Sequence, residues 1–415
     1  VKETELIFNW AKFDQAKPLP KTDSPNPHVD IDDESLRDGL QGTQAMRPSI
    51  EEQKFFLELL EDLGIEHADI GFPASDERQK EAVATLVKHR IQKGLQLSLS
   101  CAARALEEDI KSLIEISVAT GDFPLEADIF LGSSRLRALI NQWDRTELVR
   151  LTKRSVSLAK KHGLPVMFVT EDSTRAYPED LLELYRVAIE CGADRICIAD
   201  TVGVANEKVT RNIVRFVRGR ILKDNPNVKI DWHGHNDRGL ALANCIVAAE
   251  KGVNRLHATT LCIGERSGNV DLAQLLLNLN LEGFRSDDLT KLQKFAEYSA
   301  KILNMTIPVN APIIGETAHS TSSGVHADAI LKALAQGDHD LASKVYFAYD
   351  PESVGRRIEI KAGPMSGKSN IRFVLERLGI EPTEERVEVV LRAAKSGSRV
   401  LSDEEVVAIS RRISG

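Results

Sequence analysis

No apolar run in this chain approaches the ~20 residues that a membrane-spanning helix needs, because charges interrupt each one. A leading basic segment followed by an apolar core is also missing, so no secretory signal is expected. Cysteine is scarce. Residues Cys101, Cys191, Cys197, Cys245 and Cys262 are odd in number and lack zinc-knuckle spacing, which argues against a disulfide scaffold. Four of them lie in apolar strand or helix patterns, which suits reduced, buried thiols in a cytoplasmic protein. Positive charge is in deficit too: 54 Lys and Arg against 62 Asp and Glu give a net charge of -8, with no basic stripe for a nucleic acid. Two nucleotide signatures fail. The first strand is not followed by Gly-x-Gly-x-x-Gly, and Gly363-Pro364-Met365-Ser366-Gly367-Lys368-Ser369 misses a phosphate loop because Ala362 stands where glycine is required. A structural turn with Lys368 facing solvent is expected there instead.

What is present is rhythm. The 415 residues are 42% hydrophobic and 28% charged, enough for one large domain and a smaller one. After residues 1–27, which read as an arm in which Ile7-Phe8-Asn9-Trp10 packs onto a neighbour, extended runs alternate with amphipathic helices. Eight strands are predicted, beginning near His28, Ala68, Leu95, Leu125, Leu164, Arg195, Val228 and Arg255. Helical patterns such as Ile50 to Leu63, Glu77 to His89, Pro178 to Cys191 and Asn206 to Leu222 separate them, and Gly64, Gly163, Gly192 and Gly252 stand at helix ends. Eight such units in about 250 residues are the count of a (β/α)₈ TIM barrel, assigned to residues 28–290. Past Leu281 the rhythm stops. A linker and helical subdomain are expected over 291–345 and a second small, mainly helical subdomain over 346–415.

A barrel gathers its chemistry beyond the C-terminal ends of its strands, and six polar clusters fall there. They are Glu34–Gln41, Asp128 with Ser133-Ser134, Glu171–Arg175, Asp200–Gly203, His233–Asp237 and Gly264–Asn269. His233 and His235 are two apart at the end of the seventh strand, and residues i and i+2 of a strand point the same way. Two solvated strand-end histidines would satisfy that spacing equally well. With Asp38 from the first strand and Asn269 from beyond the eighth, however, the pair becomes a donor set for Zn²⁺, Mn²⁺ or Mg²⁺. A 2-oxo acid could chelate such an ion through its carboxylate and keto oxygens, and the ion would polarise the carbonyl. Arg37 would stabilise the alkoxide that develops; its alternative role is an ion pair with Asp38.

Leu36-Arg37-Asp38-Gly39 with Gln41, Gly71-Phe72-Pro73, Glu171–Arg175, Asp200-Thr201-Val202-Gly203, His233–Asp237 and Gly264–Asn269 together resemble the 2-isopropylmalate, homocitrate and citramalate synthase family. The resemblance runs from about residue 28 to 378. It implies a metal-dependent Claisen condensation on acetyl-CoA, with Asp38, His233, His235 and a more distal Asn269 around the ion. It further implies Arg37 and Glu171 at the reacting centre and Thr201 on the oxo acid. Ser323-Gly324-Val325-His326 and Tyr346–Pro351 resemble two further family elements, which in relatives reach the neighbouring subunit's barrel mouth. A homodimer is therefore expected, with His326 and Tyr346 managing protons.

The departures bear on the substrate. Asp69 replaces the usual Glu, Asp128 the usual His, and Thr317–Thr321 the usual Asn-Ala-Phe-x-His. An ionised Asp128 would repel a second carboxylate, which favours 2-oxoisovalerate, and hence 2-isopropylmalate synthesis, over 2-oxoglutarate or oxaloacetate. Gln41, Asp69 and Asp128 join Arg37 and Thr201 as expected substrate contacts. Citramalate, homocitrate and (Re)-citrate synthesis are the alternatives. A hydroxymethylglutaryl-CoA lyase is more distant, because Cys262-Ile263-Gly264-Glu265-Arg266 replaces its Gly-Cys-Pro-Tyr loop. A binding protein on a decayed barrel would have no use for complementary groups on distant strands. The family's leucine-binding regulatory domain is expected to be absent.

Overall fold

The computed structural model describes residues 6–13 and 28–412. Strands β1 (Asp30–Asp33), β2 (His67–Asp69), β3 (Ser98–Arg104), β4 (Glu126–Gly132), β5 (Val166–Glu171), β6 (Arg195–Asp200), β7 (Lys229–Gly234) and β8 (Arg255–Ala258) pair in chain order. β8 closes in parallel on β1, from Asp30↔Arg255 to Asp33↔Ala258. This is the TIM barrel that the alternation predicts.

Its helices are α1 (Ile50–Asp62), α2 (Glu77–Lys93), α3 (Glu107–Ala119), α4 (Arg135–Asn141), α5 (Arg145–Lys161), α6 (Pro178–Glu190), α7 (Glu207–Arg220), α8 (Ala241–Glu250) and α9 (Leu272–Leu281). The start of α1 is set by a capping box in which Ser49 and Glu52 satisfy each other's backbone N–H groups. Helix α4 escaped the sequence reading because its seven residues are fewer than the window over which helical periodicity is read. Its Leu136, Leu139 and Ile140 stand at helical spacing, but none of its residues is buried.

The barrel interior departs from the usual filling of branched aliphatic residues. Arg255 on β8 spans the barrel to Glu126 on β4 (2.6 Å) and also holds Asp231 on β7 (2.6 Å). Arg195 on β6 binds the same Asp231 at 2.7 Å. Asp32, Asp231 and Arg255 are fully buried. Charges so deep persist only when paired, and here the pairing ties four strands together.

Residues 6–13 form a short turn, Trp10–Lys12, on the outside of this barrel. Trp10 is 1% exposed, and its ring meets Phe8, Phe13 and Phe216 of α7.

A second compact unit comprises Asp288–Lys294 with Ile307–Gly415. Helix α10 (Leu292–Ile302) runs through the change of unit. The second unit contains β9 (Ser320–Thr321), α11 (Gly324–Ala335), α12 (His339–Lys344), β10 (Glu359–Ile360), α13 (Lys368–Arg377), α14 (Glu384–Ser396) and α15 (Asp403–Arg411). Ile371, Val374, Leu375, Val387, Val390 and Val406 form one small core. Ala327, Ile330, Ala342 and Ile360 form another. At the failed phosphate loop, Ser366 Oγ accepts from the Gly363 N–H (2.8 Å) and bonds to Ser322 O. Lys368 faces outward onto Glu384 and Glu388. The stretch is the structural turn that the sequence implied.

All five cysteines are free thiols. Among the described residues, no helix is long and apolar enough to cross a membrane.

Candidate active site

The chain leaves β1 in a tight turn. Asp33 accepts from both the backbone N–H and the hydroxyl of Ser35, and Ser35 Oγ in turn accepts from Thr260 N–H beyond β8. This stitching of the first and last units fixes where Arg37 and Asp38 stand. At the other side, Gly268 (φ +77) closes the loop after β8. A Cβ there would sit 1.7 Å from Cys262 O, so only glycine fits.

Asp38 Oδ2 lies 3.8 Å from His233 Nε2 and 3.6 Å from His235 Nε2, and the two Nε2 atoms are 3.4 Å apart. The ligand atoms of these three buried residues all lie within 4.8 Å of one another. Burial pushes His233 down to about 3 and His235 to about 4, against the pull of Asp38. Both imidazoles are therefore neutral at pH 7. His233 Nδ1 faces Glu34 Oε1 at 3.1 Å. With Nδ1–H donated to that carboxylate, the Nε2 lone pair is directed at the convergence point. Burial would raise Asp38, but Arg37 and the two histidines hold it below the ordinary carboxylate range. A converging anion and two neutral imidazoles fit a divalent cation. Asn269 stands beside them. Its Nδ2 donates to Asp38 Oδ2 (2.5 Å), while its buried Oδ1 has no hydrogen-bond partner.

Arg37 is held by Glu34, by Asp69 (2.8 Å) and by Asp38 (3.2 Å). Burial opposes its charge, but the carboxylates around it keep it a cation. The ion pair with Asp38 and a place in the cavity thus coexist. The cavity itself, about 170 Å³, is lined by Arg37, Asp38, Gln41, Asp128, Glu171, Thr201, His233 and His235, with Met167, Val169 and Ala199 among its apolar walls. Asp69 backs Arg37. Glu171 pairs with Arg137 of α4 at 2.5 Å. Thr201 Oγ1 accepts from the Asp172 N–H at 2.8 Å.

Asp128 behaves differently from the sequence expectation. Both carboxyl oxygens are buried without a partner. Burial, then Glu126, Asp69 and Asp32, push the group well above its usual range. The shift favours the neutral acid, which weakens the repulsion of a second carboxylate expected of an ionised Asp128.

His326 and Tyr346 belong to the second unit. Their rings stack at 4.2 Å with 26° between planes, and Tyr346 is 41% exposed.

Sequence reasoning missed Glu34 and His257. His257 Nδ1 meets Glu34 Oε1 at 2.5 Å and its Nε2 lies 3.4 Å from Asp231. Glu34 therefore serves two imidazoles and Arg37 at once. The signal was available as polar residues at period two: Asp30, Asp32 and Glu34; Asp231, His233 and His235; Arg255, His257 and Thr259.

Residues 28–302 match the HMGL-like family. The chain is 32% identical over 375 residues to the homocitrate synthase AksA of Methanopyrus kandleri, covering 89% of this chain and 87% of that protein. It is 31% identical to a probable 2-isopropylmalate synthase of the same organism, covering 88% and 69%. To the (R)-citramalate synthase CimA of Methanocaldococcus jannaschii it is 28% identical, covering 93% and 75%. The three activities stand at similar distance, so none is favoured by likeness. Among solved structures, an HMG-CoA lyase from Acinetobacter baumannii in complex with coenzyme A and 3-methylmalate shares the fold at a TM-score of 0.57. Its identity is 18%, covering 68% of this chain and 93% of that one. On the matched segment and on relatives above 30% identity across most of both chains, this protein belongs to the HMGL-like family.

Proposed function

We propose that the chain is a divalent-metal-dependent acyltransferase that condenses acetyl-CoA with a 2-oxo acid and water, releasing CoA and a 2-hydroxy diacid. The observation that carries this reading is the convergence of Asp38, His233 and His235 beside Arg37 in the barrel-mouth cavity. Relatives on both sides of the oxo-acid choice, 2-isopropylmalate, homocitrate and citramalate synthases, support the same chemistry.

Asp38, His233 and His235 would hold Mg²⁺, Mn²⁺ or Zn²⁺, with Asn269 as a more distal donor after rotation of its amide. The bound ion supplies Lewis-acid polarisation of the oxo acid's ketone and fixes its pose. Arg37, buried and already cationic, meets the negative charge that grows on the ketone oxygen. Thr201, fixed by Asp172, contacts the oxo acid, and Gln41 lines the entrance. The acetyl methyl group loses a proton, its carbon bonds to the ketone carbon, and the ketone oxygen becomes a hydroxyl. Water then cleaves the thioester. Glu171, His326 and Tyr346 handle those protons, the last two brought to the barrel mouth of a second subunit in a homodimer.

The oxo acid is read from the cavity wall. Its two lining cations are already engaged: Arg37 by three carboxylates, and Arg266 by Asp237 and by Thr201 O. A second substrate carboxylate would find no free cation beside Asp128. An oxo acid with an uncharged side chain, pyruvate or 2-oxoisovalerate, fits this wall. Release of free CoA from acetyl-CoA tests the proposal across pyruvate, 2-oxoisovalerate, 2-oxoglutarate and oxaloacetate with each metal. If none of the four stimulates release, the synthase reading is wrong. If only the dicarboxylates do, the reading of the cavity wall is wrong.

A further inference from the structure

Glu171 ends β5 directly before the loop 172–177, Thr201 bonds to that loop from beyond β6, and the loop is in an awkward conformation. Asp172 has a left-handed backbone (φ 64) without being glycine, which is stored strain that surrounding structure must hold. Inside the barrel the hold is visible. The Asp172 N–H reaches Thr201, Ser134 Oγ donates to the Asp172 carboxylate (2.5 Å), and Thr174 Oγ1 donates to Asp200 (2.7 Å). Arg175 grips the same Asp172 carboxylate with two bonds, 2.7 and 2.8 Å.

The outer side of the loop is held by the N-terminal segment. The Phe8 N–H donates to Arg175 O and the Trp10 indole N–H donates to Ala176 O, both at 3.0 Å. These two carbonyls belong to consecutive residues, and Ala176 is fully buried, so loss of the Trp10 N–H would take from the Ala176 carbonyl the donor it has here. The segment is anchored in turn on the barrel's outer helices. Asn212 of α7 donates to Trp10 O (2.9 Å), and the rings of Phe8 and Tyr177 lie 5.4 Å apart. An unbroken set of hydrogen bonds and ion pairs thus leads from residues 8–10 through Arg175 and Asp172 to Thr201 and Ser134.

We infer that Trp10, though outside the barrel, is a positioning residue for the active site: with Phe8 it clasps the loop that sets Glu171 and Thr201. Its functional part rests on the roles proposed above for those two residues, so the test has a readout that does not need them. Trp10→Ala removes the clasp. Trp10→Phe keeps most of the buried ring and loses only the N–H. Hydrogen exchange of residues 172–176 in the metal-loaded full chain is expected to accelerate at least tenfold in the first and about threefold in the second, with strands β5 and β6 still protected. The kcat/KM for the oxo acid should fall by similar factors with metal content unchanged. In a Glu171→Gln background the effect of Trp10→Ala should shrink, because the two act on one unit. Wild-type exchange over 172–176 in Trp10→Phe would overturn the clasp even if Trp10→Ala fails to fold. Full additivity with Glu171→Gln would overturn its role in catalysis. A wild-type chain that condenses no oxo acid would refute the proposed function, and the exchange measurement would still decide the clasp.

Discussion

The barrel mouth and the second unit carry the same kinds of side chain under opposite conditions. In the mouth, His233 is 8% exposed and His235 6%, and both face carboxylates from the turn after β1, Glu34 and Asp38. In the second unit, His326 is half-buried and stacks on a Tyr346 that is 41% exposed. The first arrangement is preorganised: its geometry exists before a ligand arrives, which is what charge stabilisation requires. The second is a stacked pair whose surroundings within its unit leave Tyr346 open. The proposed metal site and the proposed proton-handling pair should therefore fail in different ways when altered.

The sharpest break is at Asp38. Asp38→Ala leaves two neutral imidazoles and no anion, so bound metal and CoA release should disappear together, with activity down at least ~1000-fold. Metal analysis on the purified variant checks it. His326→Ala should do the reverse: metal content stays at the wild-type level while kcat falls ~100- to 10,000-fold, the usual worth of a general acid–base group. Loss of metal in His326→Ala would erase the distinction between the two regions.

The comparison is sharpened by Glu34→Gln. Glu34 lines the cavity beside the proposed ligands, where it orients His233 and His257 and holds Arg37. An amide keeps the shape and removes the charge, so metal affinity should fall roughly 10- to 100-fold, the range for outer-shell ligand partners. Titration with Mn²⁺ would measure it. An unchanged affinity would mean that the mouth is organised by its first ring of ligands alone.

That Glu34 had to be found in the structure shows where sequence reasoning stops. The eight strands were legible because apolar runs, helical stripes and glycine stops recur eight times. His233 and His235 were legible because strand geometry sends residues two apart to one side. Asp38 and Asn269 followed from closing β8 on β1. Glu34 stood in the open, four residues before Asp38, yet its use depends on His257 across the β1–β8 seam, and no local pattern encodes that contact. Asp128 was placed at the mouth, but its surroundings were not legible. Its upward shift comes from burial, then from Glu126, Asp69 and Asp32 crowding around it, a three-dimensional fact. Helix α4 was missed for a simpler reason: seven residues are too few for helical periodicity to stand out, although Leu136, Leu139 and Ile140 follow it.

Asp128 provides a smaller test. With Asp128 shifted toward its neutral form, Asp128→Asn exchanges it for an amide of nearly the same shape, and kcat/KM for the preferred oxo acid should change by no more than about threefold. Were Asp128 ionised, the same change would delete a charge beside the substrate, and uptake of 2-oxoglutarate should rise by far more than that. Comparing the two oxo acids on the variant therefore reads the protonation state of Asp128 through specificity.

The smallest expected effect concerns a histidine of the second unit that is closed rather than open. His319 is 1% exposed and its Nε2 lies 2.9 Å from the Tyr349 hydroxyl. Burial, assisted by Arg356, pushes it down from 6.5 to about 4. Between those two values the unfolded chain binds a proton that the folded unit refuses. Stability must then fall as pH drops through the window, by at most ~1.4 kcal/mol per pH unit. A glutamine at this position offers an amide to Tyr349 and has no proton to take up. Denaturant midpoints measured from pH 7 down to pH 5 should thus decline less steeply in His319→Gln than in the parent chain. A parallel decline would mean that His319 accepts its proton within the fold, and that the second unit is more open around Tyr349 than its burial indicates.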